Sequence, residues 1–267
     1  PDGRLLATGS ADGACTIWAL PSGSAVRTLR GHTGPLYVVR FSPDGRLLAT
    51  GSWDGQIKVW EVEGGQQLRT LATGLETMHP MAFSPDGRLL AGDCGGNRIR
   101  LWEVETGRER PPLVGHTGAV RSVQFSDNGR LLMTSANDGS VIVWDVASAR
   151  QLAQRWITKD GEWLIVTPEG YYDCSLNGGK YVCWRVGNEV YAVEQYEEQF
   201  HRPDLVAKAL RGEPLAASLP SVSSEHVPPE VALEVVGGPQ DVRGHEVEVE
   251  VTVTCGREED EVAEVVV

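Results

Sequence analysis

The chain has 267 residues, with 37 acidic against 24 basic side chains and a formal charge of −13. At 41% hydrophobic and 23% charged it can bury a core, which excludes global disorder. No apolar run approaches the ~18–20 residues that cross a bilayer, so no membrane partner is expected.

From its start the chain repeats itself with a period of 42 residues. Pro1-Asp2-Gly3 returns as Pro43-Asp44-Gly45 and Pro85-Asp86-Gly87, then as Asp127-Asn128-Gly129. Trp18, Trp60, Trp102 and Trp144 keep the same interval. Each unit reads as a turn, an apolar run, a tight Asp-Gly turn and an alternating run ending in Trp. Short β-branched runs joined by Asp-Gly turns describe antiparallel hairpins, with about four strands to a period.

Gly31-His32, Gly115-His116, the Ser-x-Asp turns and Trp144-Asp145 resemble the WD-repeat β-propeller. The resemblance implies a buried hydrogen-bonded set in each blade: a His, a strand Ser or Thr, a turn Asp and the strand Trp. Carried over, these are His32, Thr50, Asp54 and Trp60 in the second unit, and His116, Thr134, Asp138 and Trp144 in the fourth. The first unit keeps Thr8, Asp12 and Trp18. The third has Gly74, Gly92 and Gly96 where His, Thr and Asp are expected, so it is predicted to rely on packing and to be the loosest. A set repeated once per blade is scaffolding, because it satisfies polar groups that would cost about 1–3 kcal/mol each if left bare. Four units, one of them truncated, cannot close the ring of about seven blades common in that family, so either upstream blades are missing or the chain forms an open arc. At the family's common number, about seven, 42 residues per blade would exceed the whole chain, and a first residue of Pro1 points to a piece of a longer protein.

The resemblance also implies that the start of each blade's first strand, and the residue before the turn Asp, reach the surface used for partners. These positions are Tyr37, Trp53, His79, Arg121 and Asn137. Trp53 stands out against its counterparts Ala11, Gly95 and Asn137, since aromatic and Arg anchors dominate interface energetics. A Trp at this site can instead lie flat across a neighbouring blade.

Gln151 to Thr158 reads as the last strand of the fourth blade, after which the period stops. Turn signals at Asp160-Gly161, Pro168-Glu169-Gly170 and Asn177-Gly178-Gly179 separate further β runs. Tyr191 to Phe200 and Arg202 to Leu210 read as helices, the second with Pro203 in its first turn and Gly212 past its end. The strings EWLIVTPEGYYD, YVCWRVGNEVY and EQFHRPDLVAKAL, over 160–212, are similar to the connector that follows WD repeats in bacterial caspase-like peptidases. In those proteins a small β-sandwich and then the peptidase domain come next.

Residues 213–227 are rich in Pro, Ser and Ala and read as a linker. Three runs then alternate: EVALEVV, HEVEVEVTVTC and EVAEVVV. Val247, Val249, Val251 and Val253 share one face of the middle run, as in a half-buried strand. Three strands are fewer than the seven or so of an immunoglobulin-like sandwich, so that module is expected to be incomplete. The acidic run Glu258 to Glu261 reads as a solvated turn.

Charge follows this division. Residues 1–156 hold 16 Lys or Arg against 15 Asp or Glu, and residues 157–267 hold 8 against 22. Neither part attracts a phosphate backbone, which argues against nucleic acid. Of the 24 basic residues 20 are Arg, as in a GC-rich bacterial genome. The five cysteines, Cys15, Cys94, Cys174, Cys183 and Cys255, lack zinc or disulfide spacing, which favours a reducing, cytoplasmic compartment.

Chemistry would need a Cys/His pair, and only Cys174 with His201 in the connector offers one. No strained nucleophile turn or Gly-rich loop accompanies them. The sequence therefore predicts a mainly β chain with four parts: a partial, about four-blade WD-repeat propeller over 1–156, a β/α connector over 157–212, a linker over 213–227 and an incomplete sandwich over 228–267. It predicts no catalytic, cofactor or metal site. The expected role is a protein-interaction scaffold or sensor, as the non-catalytic part of a bacterial caspase-like peptidase. The alternatives are the scaffold of another regulator, such as a WD-repeat protein kinase, or a Cys/His hydrolase.

Overall fold

The repeat is built from one turn used again and again. In the computed structural model, which describes residues 2–72, 80–93, 95–186, 189–192, 197–215, 230–234, 250–254 and 263–266, Ser42 Oγ donates to Asp44 Oδ1 at 2.5 Å. It also accepts the Leu47 amide at 2.9 Å, while Asp44 Oδ1 accepts the Arg46 amide at 3.0 Å. Ser84 with Asp86 and Ser126 with Asn128 repeat the arrangement. Side-chain oxygens thus satisfy the amides of a tight corner, and the chain must reverse there.

Two compact units result, 1–135 with 146–149, and 136–145 with 150–267. The first unit begins with a sheet of β1 Leu5–Gly9, β2 Cys15–Ala19 and β3 Ser24–Leu29, in that order. Next comes a four-stranded sheet of β4 Leu36–Phe41, β5 Leu47–Ser52, β6 Gln56–Glu61 and β7 Gln67–Ala72. The third sheet holds β8 Met81–Phe83, β9 Leu89–Asp93, β10 Arg98–Glu103 and β11 Leu113–Val114. Then follow β12 Val120–Phe125 and β13 Leu131–Ala136. All pairings are antiparallel, and a register shift falls just before Trp18 and again just before Trp60. Such bulges raise local twist. The outer strands of the third sheet have 3 and 2 residues where those of the second have 6, so the blade with glycines at the polar positions is also the one with the shortest edges.

Sheets stack face to face. Cys15, Ile17 and Leu29 of the first blade pack with Leu48 and Trp60 of the second. Val38, Ile57, Val59 and Leu71 of the second pack with Leu90 and Trp102 of the third. Each fully buried Leu or Ile contributes about 1.5–3 kcal/mol, so these stacks are the main stabilising term of the unit.

In the second unit, β14 Ser140–Asp145 pairs with β15 Arg150–Ile157, β15 with β16 Trp163–Val166, and β16 with β17 Tyr172–Cys174. The bulge before Trp144 follows the repeat. Strand β15 runs through the expected boundary at 156, and β16 and β17 lie beyond it in the same sheet. A hairpin of β18 Cys183–Val186 and β19 Glu189–Ala192 comes next, followed by α1 Glu197–Phe200 and α2 Pro203–Leu210. The helix expected over Tyr191 to Phe200 is therefore corrected. Residues 190–192 pair with 183–185 as a strand, and among the described residues of that span 197–200 is helical. Phe200 and Val206 close a core with Ala153, Leu164, Ile165, Val166, Tyr171 and Tyr172. The last sheet is β20 Glu230–Glu234, β21 Glu250–Thr254 and β22 Ala263–Val266, antiparallel in that order. Most of the linker over 213–227 and the acidic run Glu258 to Glu261 lie outside the described residues.

Candidate functional site

Two features of the second blade concern function, one buried and one exposed. The buried one is a polar chain. Trp60 Nε1 donates to Thr50 Oγ1 at 2.8 Å, and Thr50 Oγ1 lies 2.8 Å from His32 Nε2. His32 Nδ1 lies 2.8 Å from Asp54 Oδ2. The Asp54 carboxylate can only accept, so the neutral His32 ring carries its proton on Nδ1 toward Asp54 and its Nε2 accepts from the Thr50 hydroxyl. Burial holds the His32 pKa below its ordinary value, with Lys58 acting in the same direction against Asp54. The imidazole is thus neutral. Burial also opposes ionisation of Asp54, but amides of Thr33 and Gln56 and the His32 ring outweigh it and keep the carboxylate below the usual range. Every group is used in holding the loop 32–34 to the turn at Asp54, so the set does not present a nucleophile or base to a substrate.

In the first blade Trp18 Nε1 donates to Thr8 Oγ1 at 2.8 Å, and Asp12 accepts the Ala14 amide at 3.0 Å with Arg30 at 3.7 Å. In the fourth, His116 Nε2 lies 2.8 Å from Thr134 Oγ1 in the first unit. Asp138 and Trp144 belong to the second unit, where Asp138 Oδ1 accepts the Ser140 amide and hydroxyl, and Gln154 donates to Ser140 Oγ at 3.0 Å.

The exposed feature is an aromatic pair. Tyr37 and Trp53 stack with centroids 4.8 Å apart and planes 15° from parallel. They are 53% and 48% exposed. Strand β4 shifts register between Leu36 and Val38, so Tyr37 is the extra residue of a bulge and turns out toward Trp53. The Trp53 amide donates to the Pro35 carbonyl at 3.0 Å, and the Leu36 amide to Ser10 at 3.0 Å. Trp53 thus stacks on its own blade's Tyr37. Arg121 is exposed on β12 in the first unit, Asn137 is exposed in the second, and His79 lies outside the described residues.

Cys174 and His201 each face other groups. His201 ring nitrogens face Asp173 and Glu197, each at 3.6 Å, and the ring stacks on Tyr172 at 5.1 Å. Burial raises the Cys174 thiol, and Asp173 and Glu197 add to it, which disfavours the thiolate. Cys15 is buried, which pushes its thiol up to about 11. Among the described residues no cluster of His, Cys, Asp and Glu has a metal-binding arrangement, and no helix is long and apolar enough to cross a membrane.

Sequence reasoning passed over Arg27 and Arg69, one period apart. Arg27 Nη1 and Nη2 donate to the Gly64 and Glu63 carbonyls at 3.0 and 2.5 Å, and Arg69 Nε donates to the Glu105 carbonyl at 3.1 Å. The repeated Arg was visible, but its partner is backbone and has no signature of its own.

A family model described as WD domain, G-beta repeat matches residues 1–19, 23–61, 81–103 and 108–145. No curated protein matches the chain.

Proposed function

With WD repeats in residues 1–145 making this part of the chain a protein-interaction scaffold, we propose that it binds a protein partner through the platform of Tyr37 and Trp53. The observation that carries the reading is the stacked, half-exposed pair itself. Two large rings already held against each other lose little conformational freedom on binding and offer a flat apolar surface with a hydroxyl and an indole N–H at its edges. The buried chain from Trp60 to Asp54 fixes the turn that carries Trp53. Replacing Trp53 and Tyr37 by Ala, singly, is expected to remove partners retained by the immobilised wild-type chain while leaving its thermal unfolding unchanged. Retention of the same partners by both variants would refute the assignment.

On the finer question of context, the reading is that the scaffold belongs to a bacterial caspase-like peptidase. The support is the similarity of 160–212 to the connector of such proteins. The coding sequence downstream tests it: a caspase-like domain with its His and Cys is the expected finding, and a different effector there, or a kinase domain upstream, refutes it.

A further inference from the structure

The polar groups left unspent around the aromatic pair define the kind of segment that fits it. Among the described residues neither the Trp53 indole N–H nor the Tyr37 hydroxyl has a protein partner, and both rings are half-exposed. An indole nitrogen can only donate. The backbone amides of the same turn are already used: Trp53 donates to the Pro35 carbonyl at 3.0 Å, Asp54 to Ser52 Oγ at 3.1 Å and Gly55 to the Ser52 carbonyl at 3.2 Å. What remains at this corner is an apolar surface edged by two free donors.

Charge around the pair is independent of this and points the same way. The Asp54 side chain is buried and accepts the Thr33 and Gln56 amides and the His32 ring, so it is not open to a cation. The Asp12–Gly13 turn of the first blade abuts the loop 32–34, since a Cβ on Gly13 would meet the His32 carbonyl at 2.7 Å. Asp12 there already has Arg30 at 3.7 Å. The complementary ligand is therefore neutral and rich in acceptors. The rings are also slid past each other rather than eclipsed, because centroids 4.8 Å apart exceed the ~3.5–4.0 Å of carbon contact. That offset leaves a step of ring face on which another flat ring can rest.

We propose that the Tyr37–Trp53 platform takes a proline-rich segment of its protein partner in the polyproline II conformation. The inference rests on the reading of the pair as the partner surface and adds the chemistry of what it holds. Proline has no N–H, so such a segment shows carbonyls without competing amides, and polyproline II leaves those carbonyls unpaired. A helix spends its carbonyls on itself, and an extended strand brings an amide with each carbonyl, which sets donor against donor. Pyrrolidine rings pack on the exposed faces of Tyr37 and Trp53, while the indole N–H and the phenol hydroxyl donate to carbonyls of the segment. Both surfaces are held before they meet, so little ordering opposes binding.

The probe is a peptide of about ten prolines, blocked at both ends, titrated into the full chain. Binding is followed on the indole N–H resonances of the eight tryptophans in nitrogen–proton NMR spectra, and affinity by the anisotropy of a fluorescein-labelled copy. The Trp53 resonance, identified by its loss in Trp53→Phe, is expected to move downfield and saturate while the other indole resonances hold still. Trp53→Phe and Tyr37→Phe keep the rings and remove one donor each, so each should weaken the peptide by about three- to ten-fold, the worth of one hydrogen bond. The remaining indole resonances report that each variant is folded. A Trp53 resonance that the proline peptide does not move would overturn the proposal, and loss of partners by Trp53→Ala in that case would leave the platform standing with a different ligand. Tighter binding of a blocked Gly-Arg-Gly peptide, weakening with salt, would also overturn it and give the platform to a cation.

Discussion

Thr50→Val is the sharpest probe of the second blade. Thr50 Oγ1 is fully buried and serves two buried groups at once, accepting from Trp60 Nε1 and donating to His32 Nε2, both at 2.8 Å. Valine keeps the shape and β-branching of threonine, so packing and strand propensity change little. What is lost is the hydroxyl, which strands an indole N–H and an imidazole nitrogen where water cannot reach. At about 1–3 kcal/mol for each of the two buried groups left bare, the cost is about 2–6 kcal/mol. Thr8→Val provides the control. It removes the same Trp hydrogen bond, Trp18 to Thr8 at 2.8 Å, but at an exposed site, where water replaces the partner and the cost is under about 1 kcal/mol. Urea unfolding followed by circular dichroism, with hydrogen exchange over β5 and β6 as the local readout, separates the two. A Thr50→Val loss no larger than that of Thr8→Val would refute the claim that the buried chain stabilises the blade.

Three further outcomes follow from the same structure. The His32 pKa is held low, so the unfolded chain takes up a proton that the folded one refuses. Stability from this group is present above about 6.5 and lost as pH falls below it, and His32→Gln should flatten the difference between urea midpoints at pH 7.5 and 5.5. Ala149 sits at φ 57° where Gly65 and Gly107 stand in the second and third blades, so Ala149→Gly should raise stability by about 0.5–1 kcal/mol in thermal unfolding. Cys174, its thiol raised by burial and by Asp173, should react with iodoacetamide at pH 7.5 more slowly than a free thiol and at an unchanged rate in His201→Ala; a rate that depends on His201 would restore the nucleophile reading.

What could be read from the sequence was whatever local chemistry dictates. Asp-Gly turns, period-two alternation and a Trp every 42 residues are satisfied within one hairpin, so they mark the strands directly. The Thr50, His32 and Asp54 contacts are also within one repeat. The addition of β16 and β17 to β15 was not legible, because edge pairing between strands outside the period leaves no spacing to detect. The strand at 190–192 was hidden by the acidic, helix-like residues that follow it. The Tyr37–Trp53 stack depends on a one-residue bulge, and alternation alone places Tyr37 without saying where it turns.

The two features of the second blade are coupled in one direction. Asp54 follows Trp53 directly, and its carboxylate accepts the amides of Thr33 and Gln56 while His32 donates to it. Ser52 Oγ donates to the Gly34 carbonyl at 2.8 Å from the other side of the turn. The backbone under Trp53 is thus pinned by the buried chain, whereas the indole itself touches only Tyr37 among the described aromatic rings. Removing the indole should spare the fold. Removing Thr50 should loosen the turn and with it the orientation of the platform, so Thr50→Val is expected to weaken partner binding without any contact to the partner. If Trp53→Ala and Thr50→Val weakened binding while only the second lowered stability, that asymmetry would identify the buried set as the support of the surface and the aromatic pair as the surface itself.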